Sequence, residues 1–446
     1  MATTYSASTT TLERIRTIEV QRHIGERVLV AGWLHAIRRL GGLSFLVIRD
    51  GWGLLQVVAT SEDELAPLTE ATAGVESVVS VEGIVAEAAQ APGGIELREP
   101  RITVITPVRE APPVTLNKRE LKASLTTQLD DAVIANRHPA RRALLRLSGA
   151  AMAGFRETLE PRGFTEVQTP KIVASATESG ANVFKLDYFG RPAYLAQSPQ
   201  LYKQILVGVY ERVYEVGPVF RAEPHDTTRH INEYVSLDVE LGFIRDHFTV
   251  MALLRDVIAG MLAAIAARCP AELALLTVAL PAVPDEIPHI HFAEAQELIL
   301  RLHGVDVRGE PDLSPQDERW LGEWAQREHG SDFLFVTGYP TKKRAFYTAP
   351  DPARPEYSNS FDLLFRGTEL VSGSQRLHRY EDYLAVLEER GLPREPFEGY
   401  LQAMRYGMPP HGGFAIGLER LLMQLTGVPN IKLATLFPRD VHRLTP

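Results

Sequence analysis

The chain has 446 residues, of which 45% are hydrophobic and 23% charged, and this ordinary composition excludes a disordered chain or a fibrous repeat. At about 150 residues per domain, the length predicts two or three domains with substantial cores. Because 56 acidic residues outnumber 47 basic ones and leave a formal charge of -9, any polyanion that binds must find a local basic surface.

Cys269 is the single cysteine, so an internal disulfide is excluded, and the N-terminal residues lack the charged and apolar regions of a secretion signal. The longest apolar stretch, residues 250–267, is interrupted by Arg255 and Asp256. This pattern indicates an amphipathic helix and argues against a membrane span. We therefore predict a cytoplasmic protein.

Short alternating apolar runs, separated by turn residues, fill residues 27–108. Their length and spacing predict a five-stranded antiparallel barrel rather than βαβ units. Residues 106–129 carry three prolines among many polar residues, which is typical of a linker. We therefore predict an N-terminal domain at 1–106, a hinge at 107–135 and a second domain at 136–446.

Helical spacing over residues 141–159, with Gly163 as a C-cap before an extended segment, predicts a helix, a turn and a strand. Two strand-like runs then flank a polar and basic loop at 224–232. Two more runs surround Gly367, and a glycine-rich strand enters a helix within 412–425. The pattern predicts a large antiparallel α+β domain.

The strand-and-loop segment VFRAEPHDTTRHINEY places an arginine two residues before a carboxylate. On a strand this spacing puts both side chains on one face, so Arg221 can hold a phosphate while Glu223 accepts from an exocyclic amine of a nucleotide. A surface salt-bridge strand is the alternative, and the Arg-x-Glu pattern taken alone favours it.

Asp362 and Glu369 flank the predicted turn at Gly367. Paired carboxylates suit Mg²⁺, which prefers one or two carboxylates together with substrate phosphate oxygens; solvated acidic residues are the alternative. In GGFAIGLERL, the glycines allow a ligand to approach the backbone, and Arg420 begins the adjoining helix. The Rossmann glycine order and the Walker A sequence are both missing.

These units, in this order, resemble motifs 2 and 3 of the class II aminoacyl-tRNA synthetases, and GFTEVQTPKI, with Pro170, resembles the remaining motif of that class. The resemblance covers essentially the whole chain. It implies an α+β fold with a five-stranded OB-fold barrel that binds the anticodon and an antiparallel-sheet catalytic domain. It also implies a homodimer through the helix and strand around Pro170.

Within that class, ATESGANVF, YLAQSPQLYKQ, SFDLLFRGTEL and SGSQRLHRY are most similar to archaeal-type aspartyl-tRNA synthetases. The similarity implies Lys203 and Arg376 on the side-chain carboxylate of L-aspartate, and Glu178, Gln200 and Asp238 around its ammonium. Physical chemistry supports this set, because a substrate with two carboxylates needs cationic partners. A solvated helix lysine is the alternative for Lys203.

The class resemblance also implies an ATP site and a two-step reaction through aspartyl-adenylate without a covalent nucleophile. Arg221 and Arg420 would be the catalytic arginines, and Asp362 and Glu369 would hold Mg²⁺. The other implied ATP-binding residues are Glu223 at the adenine edge, Tyr234 stacking on the ring, and Arg229 and His230 at the β and γ phosphates.

For tRNA, the family resemblance implies that Phe45 stacks on an anticodon base while Gln56 and Glu96 bond the central uridine. Barrel core is the alternative for Phe45. We expect the last anticodon base to be read by loops that carry His35 and Pro92. Strict relatives tend to have a large aromatic residue and a lysine in these loops, so we predict relaxed charging of both tRNA(Asp) and tRNA(Asn), with an amidotransferase completing asparagine formation.

Three rival interpretations remain open at this stage. An asparaginyl-tRNA synthetase would share the fold, although that family generally lacks Lys203 and has glutamate in place of Asp238. An aspartate-ammonia ligase would normally lack residues 1–106. A non-catalytic RNA-binding paralogue would be expected to lose Arg221, Glu369 or Arg420.

Overall fold

The computed structural model describes residues 12–174 and 182–445. The chain divides into two compact units, one ending at Pro139 and the other beginning at Ala140. The predicted hinge, 107–135, lies within the first unit, and its role as a hinge stays a prediction.

The first unit is built on a five-stranded barrel, which confirms the predicted barrel, but its third and fifth strands pair parallel, which corrects the antiparallel pairing predicted for it. Its strands follow the order β1-β2-β3-β5-β4, and β4 pairs back with β1. The barrel strands and the helix between the third and fourth are β1 (Arg27–Leu40), β2 (Leu43–Arg49), β3 (Leu54–Ala59), α1 (Glu62–Glu70), β4 (Val78–Glu87) and β5 (Ile95–Thr106).

Alternation of buried and less buried residues along the barrel strands explains their formation, because one side of each strand fills the core. A capping box of Ser61 and Glu64 begins α1, satisfying backbone donors that the first helical turn leaves free. Two short helices follow the barrel, α2 (Leu125–Asp130) and α3 (Ala132–Ala135).

The second unit is an α+β body, as predicted. Its helices are α4 (Pro139–Leu159), α5 (Gln200–Tyr210), α6 (His247–Arg268), α7 (Pro270–Leu276), α8 (Phe292–His303), α9 (Pro315–His329), α10 (Tyr380–Glu389), α11 (Glu398–Arg405) and α12 (Leu418–Thr426). Its strands are β6 (Thr165–Glu166), β7 (Ile172–Val173), β8 (Lys185–Tyr188), β9 (Arg191–Leu195), β10 (Arg212–Phe220), β11 (Glu233–Gly242), β12 (His289–His291), β13 (Phe333–Thr337), β14 (Ser360–Phe365), β15 (Thr368–Gln375) and β16 (His411–Gly417).

Within the described ranges, a large sheet of eight strands runs β12-β13-β14-β15-β16-β11-β10-β6, and a small sheet runs β7-β9-β8. The large sheet is antiparallel except at its edges, where β12 pairs parallel with β13 and β6 with β10. Gly163, with a φ of 80°, ends the turn after α4, as its sequence position predicted. The two predicted hairpins are β10–β11 and β14–β15.

In the part of the chain that the structure describes, one helix, α6, is long and apolar enough to cross a membrane by length and composition alone. Its residues Val250, Leu254, Val257 and Met261 belong to the main core cluster. The helix packs against β14, β15 and β16. Packing against the sheet therefore accounts for its apolar composition.

Candidate active site

One face of β11 forms the floor of a cavity with a volume of about 400 Å³. Tyr234, Ser236, Asp238 and Glu240 occupy alternate positions of the strand, so their side chains share this face. At about 3.3 Å per residue, Tyr234 and Glu240 are roughly 20 Å apart. The floor thus has two ends, which we call the closed end, at Asp238 with the buried Glu240 beyond it, and the open end, at Tyr234.

The cavity brings together most of the residues that the sequence predicted for one site. Those lining it are Gln200, Arg221, Glu223, Arg229, His230, Tyr234, Asp238, Glu369, Arg376 and Arg420. Glu178 lies outside the described residues. Lys203 and Asp362 are described, but their side chains lie behind the cavity wall.

Four buried charges occupy the closed end. Lys203 Nζ lies 2.9 Å from Asp238 Oδ1 and 3.5 Å from Glu240 Oε2. Arg376 donates from Nε to Glu240 Oε1 at 2.9 Å and from a terminal nitrogen to Glu240 Oε2 at 3.2 Å. Two cations and two anions therefore compensate one another, which buried charges require.

Lys203 is only 2% exposed, which excludes a solvated helix lysine. Its ammonium also donates to the carbonyl oxygens of Val239 and Phe414. With these bonds and Asp238, the three donor directions of an ammonium are used. In this structure Lys203 thus donates to Asp238 from the buried side of the cavity wall. Its predicted contact with a substrate carboxylate stays a prediction.

Arg376 follows the end of β15 and lines the cavity. Besides Glu240, it donates to Ser374 Oγ at 2.6 Å and to Gln200 Oε1 at 3.4 Å. Burial alone would raise the pKa of Glu240, but Arg376 and then Lys203 outweigh burial and hold the pKa below its usual value. Glu240 is therefore a carboxylate, and Arg376 is its principal partner.

Gly413 explains how Glu240 fits against the neighbouring strand. Glu240 pairs with Gly413 across β11 and β16. A Cβ at this glycine would lie 2.3 Å from Glu240 Oε2 and 2.0 Å from the Val239 carbonyl oxygen. The sequence pattern predicts that these glycines let a ligand approach the backbone, whereas Gly413 makes room for a carboxylate of the protein itself.

At the open end the charged side chains are half-exposed and their pairs are longer. Arg221, directly after β10, lies 3.9 Å from Glu223 and 5.7 Å from the centre of the Tyr234 ring. His230 Nε2 lies 3.7 Å from the same Glu223 carboxylate. Burial lowers the pKa of His230 despite the nearby Glu223.

Residues near the C-terminal end of the chain anchor the loop between β10 and β11. Lys432, in the short 3-10 helix at Ile431–Ala434, bridges Asp226 of the loop and Asp440, each at 2.6 Å. The Ile431 amide donates to the Thr228 carbonyl. The loop backbone is thereby anchored, while Arg229 and His230 remain half-exposed.

Two glutamates with little exposed surface lie near the open end, Glu419 in the cavity lining and Glu318 beside Arg229. Burial raises the pKa of Glu419, which accepts from the Val235 amide, to about 7. Burial also raises the pKa of Glu318 to about 7. The Glu318 carboxylate accepts from the Glu369 amide at 3.0 Å and lies 3.9 Å from Arg229.

Asp362 and Glu369 lie on the two strands of one hairpin, β14 and β15, but their surroundings differ. Asp362 accepts from Arg344 at 2.7 Å and from Ser372, so both of its oxygens are engaged. Glu369 lines the cavity, and burial followed by the charge of Asp362 raises its pKa. A divalent cation would relieve this cost, so Glu369 fits a magnesium ligand, whereas Asp362 fits one only if Arg344 withdraws.

Sequence reasoning missed several residues that shape the cavity: Glu240, Glu318, Arg344 and Glu419. A signal for Glu240 was present, since it stands two positions after Asp238 on the same strand. Arg344 lies in an irregular segment without a recognisable pattern, and only the fold brings it to Asp362.

On the barrel, Phe45 lies on the outer face, opposite Arg38 in the β1–β2 register. It is outside the barrel core cluster, so the core alternative for Phe45 is wrong. Gln56 donates to Glu96 at 3.0 Å across β3 and β5. An aromatic ring, a cation and a polar pair thus lie on neighbouring strands of the barrel.

The two residues assigned to the last anticodon base have different environments. Pro92 begins an exposed 3-10 turn between β4 and β5. His35 does not lie in a loop, which corrects the predicted placement. It lies within β1 beside a bulge, because the strand continues to Leu40 before turning. His35 is 5% exposed.

Both compact units match known sequence families. Residues 124–441 match the profile described as tRNA synthetases class II (D, K and N). Residues 28–105 match that of the OB-fold nucleic acid binding domain of the tRNA anticodon-binding type.

Full-length relatives agree with these matches. The chain is 46% identical to the aspartate–tRNA(Asp/Asn) ligase of Thermus thermophilus, over 97% of this chain and 100% of the relative. It is 42% identical to the protein of the same name from Methanopyrus kandleri, over 95% and 96%.

Solved structures of similar fold carry two amino-acid specificities. Asparaginyl-tRNA synthetase from Pyrococcus horikoshii, complexed with asparaginyl-adenylate, superposes with a TM-score of 0.90 at 33% identity, covering 98% of this chain and 100% of that one. Aspartyl-tRNA synthetase from Entamoeba histolytica gives 0.86 at 28% identity, covering 100% and 95%. Fold similarity alone therefore does not choose between aspartate and asparagine.

Proposed function

The chain belongs to the class II tRNA synthetases of the D, K and N group, and from that premise we propose that it activates L-aspartate with ATP and transfers it to tRNA(Asp) and tRNA(Asn). The observation that carries the proposal is the closed end of the cavity. There a buried arginine, Arg376, lies beside the Lys203 and Asp238 pair. This charge arrangement suits an amino acid with a second carboxylate.

Aspartate is favoured over asparagine by the chemistry of Arg376. A guanidinium can bind a carboxylate with two parallel, charge-assisted hydrogen bonds, whereas an amide offers it a single neutral acceptor. Because Glu240, Ser374 and Gln200 accept from Arg376 in this structure, the substrate carboxylate would replace one of these partners. Asp238, which lines the cavity beside Gln200, is suited to the substrate ammonium. The remaining predicted ammonium ligand, Glu178, belongs to the same proposal but lies outside the described residues.

ATP is proposed to occupy the open end. Arg221 would hold the α-phosphate, Glu223 the adenine edge, and Tyr234 one face of the ring. Arg229, His230 and Arg420 would hold the outer phosphates. The half-exposed side chains and longer ion pairs of this end support the assignment, since an incoming polyphosphate can exchange with such weakly paired partners.

Mg²⁺ would be held by Glu369, with substrate phosphate oxygens completing its shell, and would neutralise phosphate charge there. Asp362 is the second ligand that the family resemblance implies. Arg344 is bound to that carboxylate in this structure and is itself a cation at the cavity wall.

The reaction needs positioning more than proton transfer. The aspartate α-carboxylate attacks the α-phosphorus in line and releases pyrophosphate, and the terminal adenosine hydroxyl of tRNA then takes the acyl group. Arg221 and Arg420 stabilise charge on the phosphates during the first step. Holding both substrates in one cavity supplies the positioning, and cations placed where phosphate charge develops lower the barrier.

The anticodon is proposed to lie on the outer barrel face, where Phe45 would stack on a base and Gln56 and Glu96 would bond its neighbour. Charging of both tRNAs is supported by the similarity to relatives named for tRNA(Asp/Asn). Pro92 would contribute to reading the last base. For His35, the proposal requires that tRNA binding expose the ring.

Three further expectations accompany the function. A homodimer would form through the segment around Pro170, which precedes β7. The protein would act in the cytoplasm. An amidotransferase would convert aspartyl-tRNA(Asn) to asparaginyl-tRNA(Asn).

The test is transfer of labelled aspartate, with ATP and Mg²⁺, onto separate tRNA(Asp) and tRNA(Asn) transcripts. Charging of both is expected. Charging of tRNA(Asp) alone would retain aspartate activation and reject relaxed recognition. Pyrophosphate exchange that depends on asparagine more than on aspartate would instead establish an asparaginyl-tRNA synthetase.

A further inference from the structure

A buried polar cluster lies behind the closed end, outside every residue assigned above. Gln204 of α5, Tyr383 of α10, Tyr400 of α11 and His411 of β16 form it, and each is at most 4% exposed. We call these four residues the tyrosine–glutamine cluster. Four separate elements of the second unit therefore meet at one set of polar side chains.

The amide oxygen of Gln204 is the centre of the cluster. It accepts from the hydroxyl of Tyr400 at 2.7 Å, while the hydroxyl oxygen of Tyr383 lies 3.2 Å away and His411 Nε2 lies 3.1 Å away. The two tyrosine hydroxyls are 2.7 Å apart. Burial raises the pKa of both tyrosines, so their hydroxyls stay protonated.

Residues of the cluster hydrogen-bond the backbone at Arg376 and at the next residue, Leu377. Tyr383 donates to the Leu377 carbonyl at 2.8 Å. The Arg376 amide donates to the His411 carbonyl at 2.8 Å. Arg376 lies one residue beyond the last residue of β15, so these contacts fix the backbone where the regular strand pairing stops.

The cluster also shares a helix with the lysine of the closed end. Gln204 follows Lys203 directly on α5, and successive helix residues point about 100° apart. Lys203 therefore reaches Asp238 while Gln204 reaches the tyrosines. The same turn of α5 therefore carries the lysine that pairs with Asp238 and the glutamine that contacts the two tyrosines.

Resting on the proposed function, we infer that Gln204, Tyr383 and Tyr400 are positioning residues that set the direction of Arg376 and thereby the affinity for the substrate carboxylate. They touch neither the cavity nor the ATP residues. Their loss should therefore act on aspartate and leave ATP binding unchanged.

Tyr400→Phe and Tyr383→Phe test this inference in the full-length protein, because each removes one hydroxyl and keeps the ring. Aspartate-dependent ATP–pyrophosphate exchange should show a KM for aspartate about tenfold higher, since a buried partner loses its hydrogen bond. The KM for ATP should stay within about twofold. Tyr406→Phe is the matched control, because Tyr406 is 79% exposed at the end of α11.

Gln204→Met is the third variant and should reproduce the aspartate effect. If it fails to fold, the two tyrosine variants decide. Equal increases in both KM values, or a lower unfolding temperature with both KM values unchanged, would overturn the positioning role and leave only a structural one. Absence of aspartate-dependent exchange in the unchanged protein would reject the proposed function, and this inference with it.

Discussion

The closed and open ends of the cavity hold similar numbers of charges but hold them differently. At the closed end, Arg376 and Glu240 pair at 2.9 Å and are almost fully buried. At the open end, Arg221 and Arg229 are half-exposed and have carboxylate partners at 3.9 Å. A small, rigid substrate can be met by a preorganised site, whereas a flexible polyphosphate favours side chains that can change partners.

Glu240→Ala should have the largest effect on the closed end, because it leaves Arg376 buried without its main counter-charge. We expect the free energy of unfolding to fall by about 3–5 kcal/mol, and aspartate-dependent exchange to be lost. Urea unfolding measures the first quantity. Glu233→Ala, at an exposed position of the same strand, is the control, and a loss at Glu240 no larger than the control's would show that the pair is dispensable.

Arg221→Ala should separate activity from stability at the open end. We expect the exchange rate to fall by about 10²–10³-fold, as for the loss of one group that stabilises charge in the transition state. The free energy of unfolding should change by less than about 0.5 kcal/mol, because the side chain is half-exposed. Arg245→Ala, at an exposed position after β11, serves as control, and a large stability loss at Arg221 would erase the distinction between the two ends.

Glu419→Gln should change how the free energy of unfolding depends on pH, since Glu419 is a buried acid beside the open end. Its pKa is raised by burial from 4.5 to about 7, so the folded protein holds the proton more tightly than the unfolded chain does. Glu419 therefore contributes stability below pH 4.5 that is lost as the pH rises through 7.

The glutamine variant lacks this loss. Its advantage over the unchanged protein should grow from near zero at low pH to roughly 3 kcal/mol at pH 8, measured by urea unfolding across that range. Glu323→Gln, exposed on α9, should show no such trend. Parallel pH curves for Glu419→Gln and the unchanged protein would contradict the expectation.

Phe45→Ala should give the smallest effect and leave both ends of the cavity unaffected. Loss of one stacking ring is expected to weaken tRNA binding by about 1–3 kcal/mol, seen as a higher Kd for tRNA(Asp) with unchanged pyrophosphate exchange. Trp52→Ala, in the turn between β2 and β3, is the aromatic control. Equal losses of tRNA affinity in both variants would contradict a binding site for the anticodon on the barrel face that carries Phe45.

The sequence predicted the barrel, the two hairpins and most cavity residues because these depend on local patterns. Alternating strands and the motif arginines are visible in short segments. The partners of Lys203 and Asp362 were not predictable in this way. Lys203 is bonded to Asp238, 35 residues later in the chain, and Asp362 to Arg344, 18 residues earlier, and only the folded domain brings those charges together.

Gly413 has a consequence for the reading of natural variants. The charges of the closed end depend on a position that carries no side chain, because a methyl group there would overlap the Glu240 carboxylate. A Gly413→Ala allele would keep every charged residue of the site intact in an alignment. It should nevertheless displace Glu240 and act as a loss-of-function allele that a list of charged residues would score as harmless.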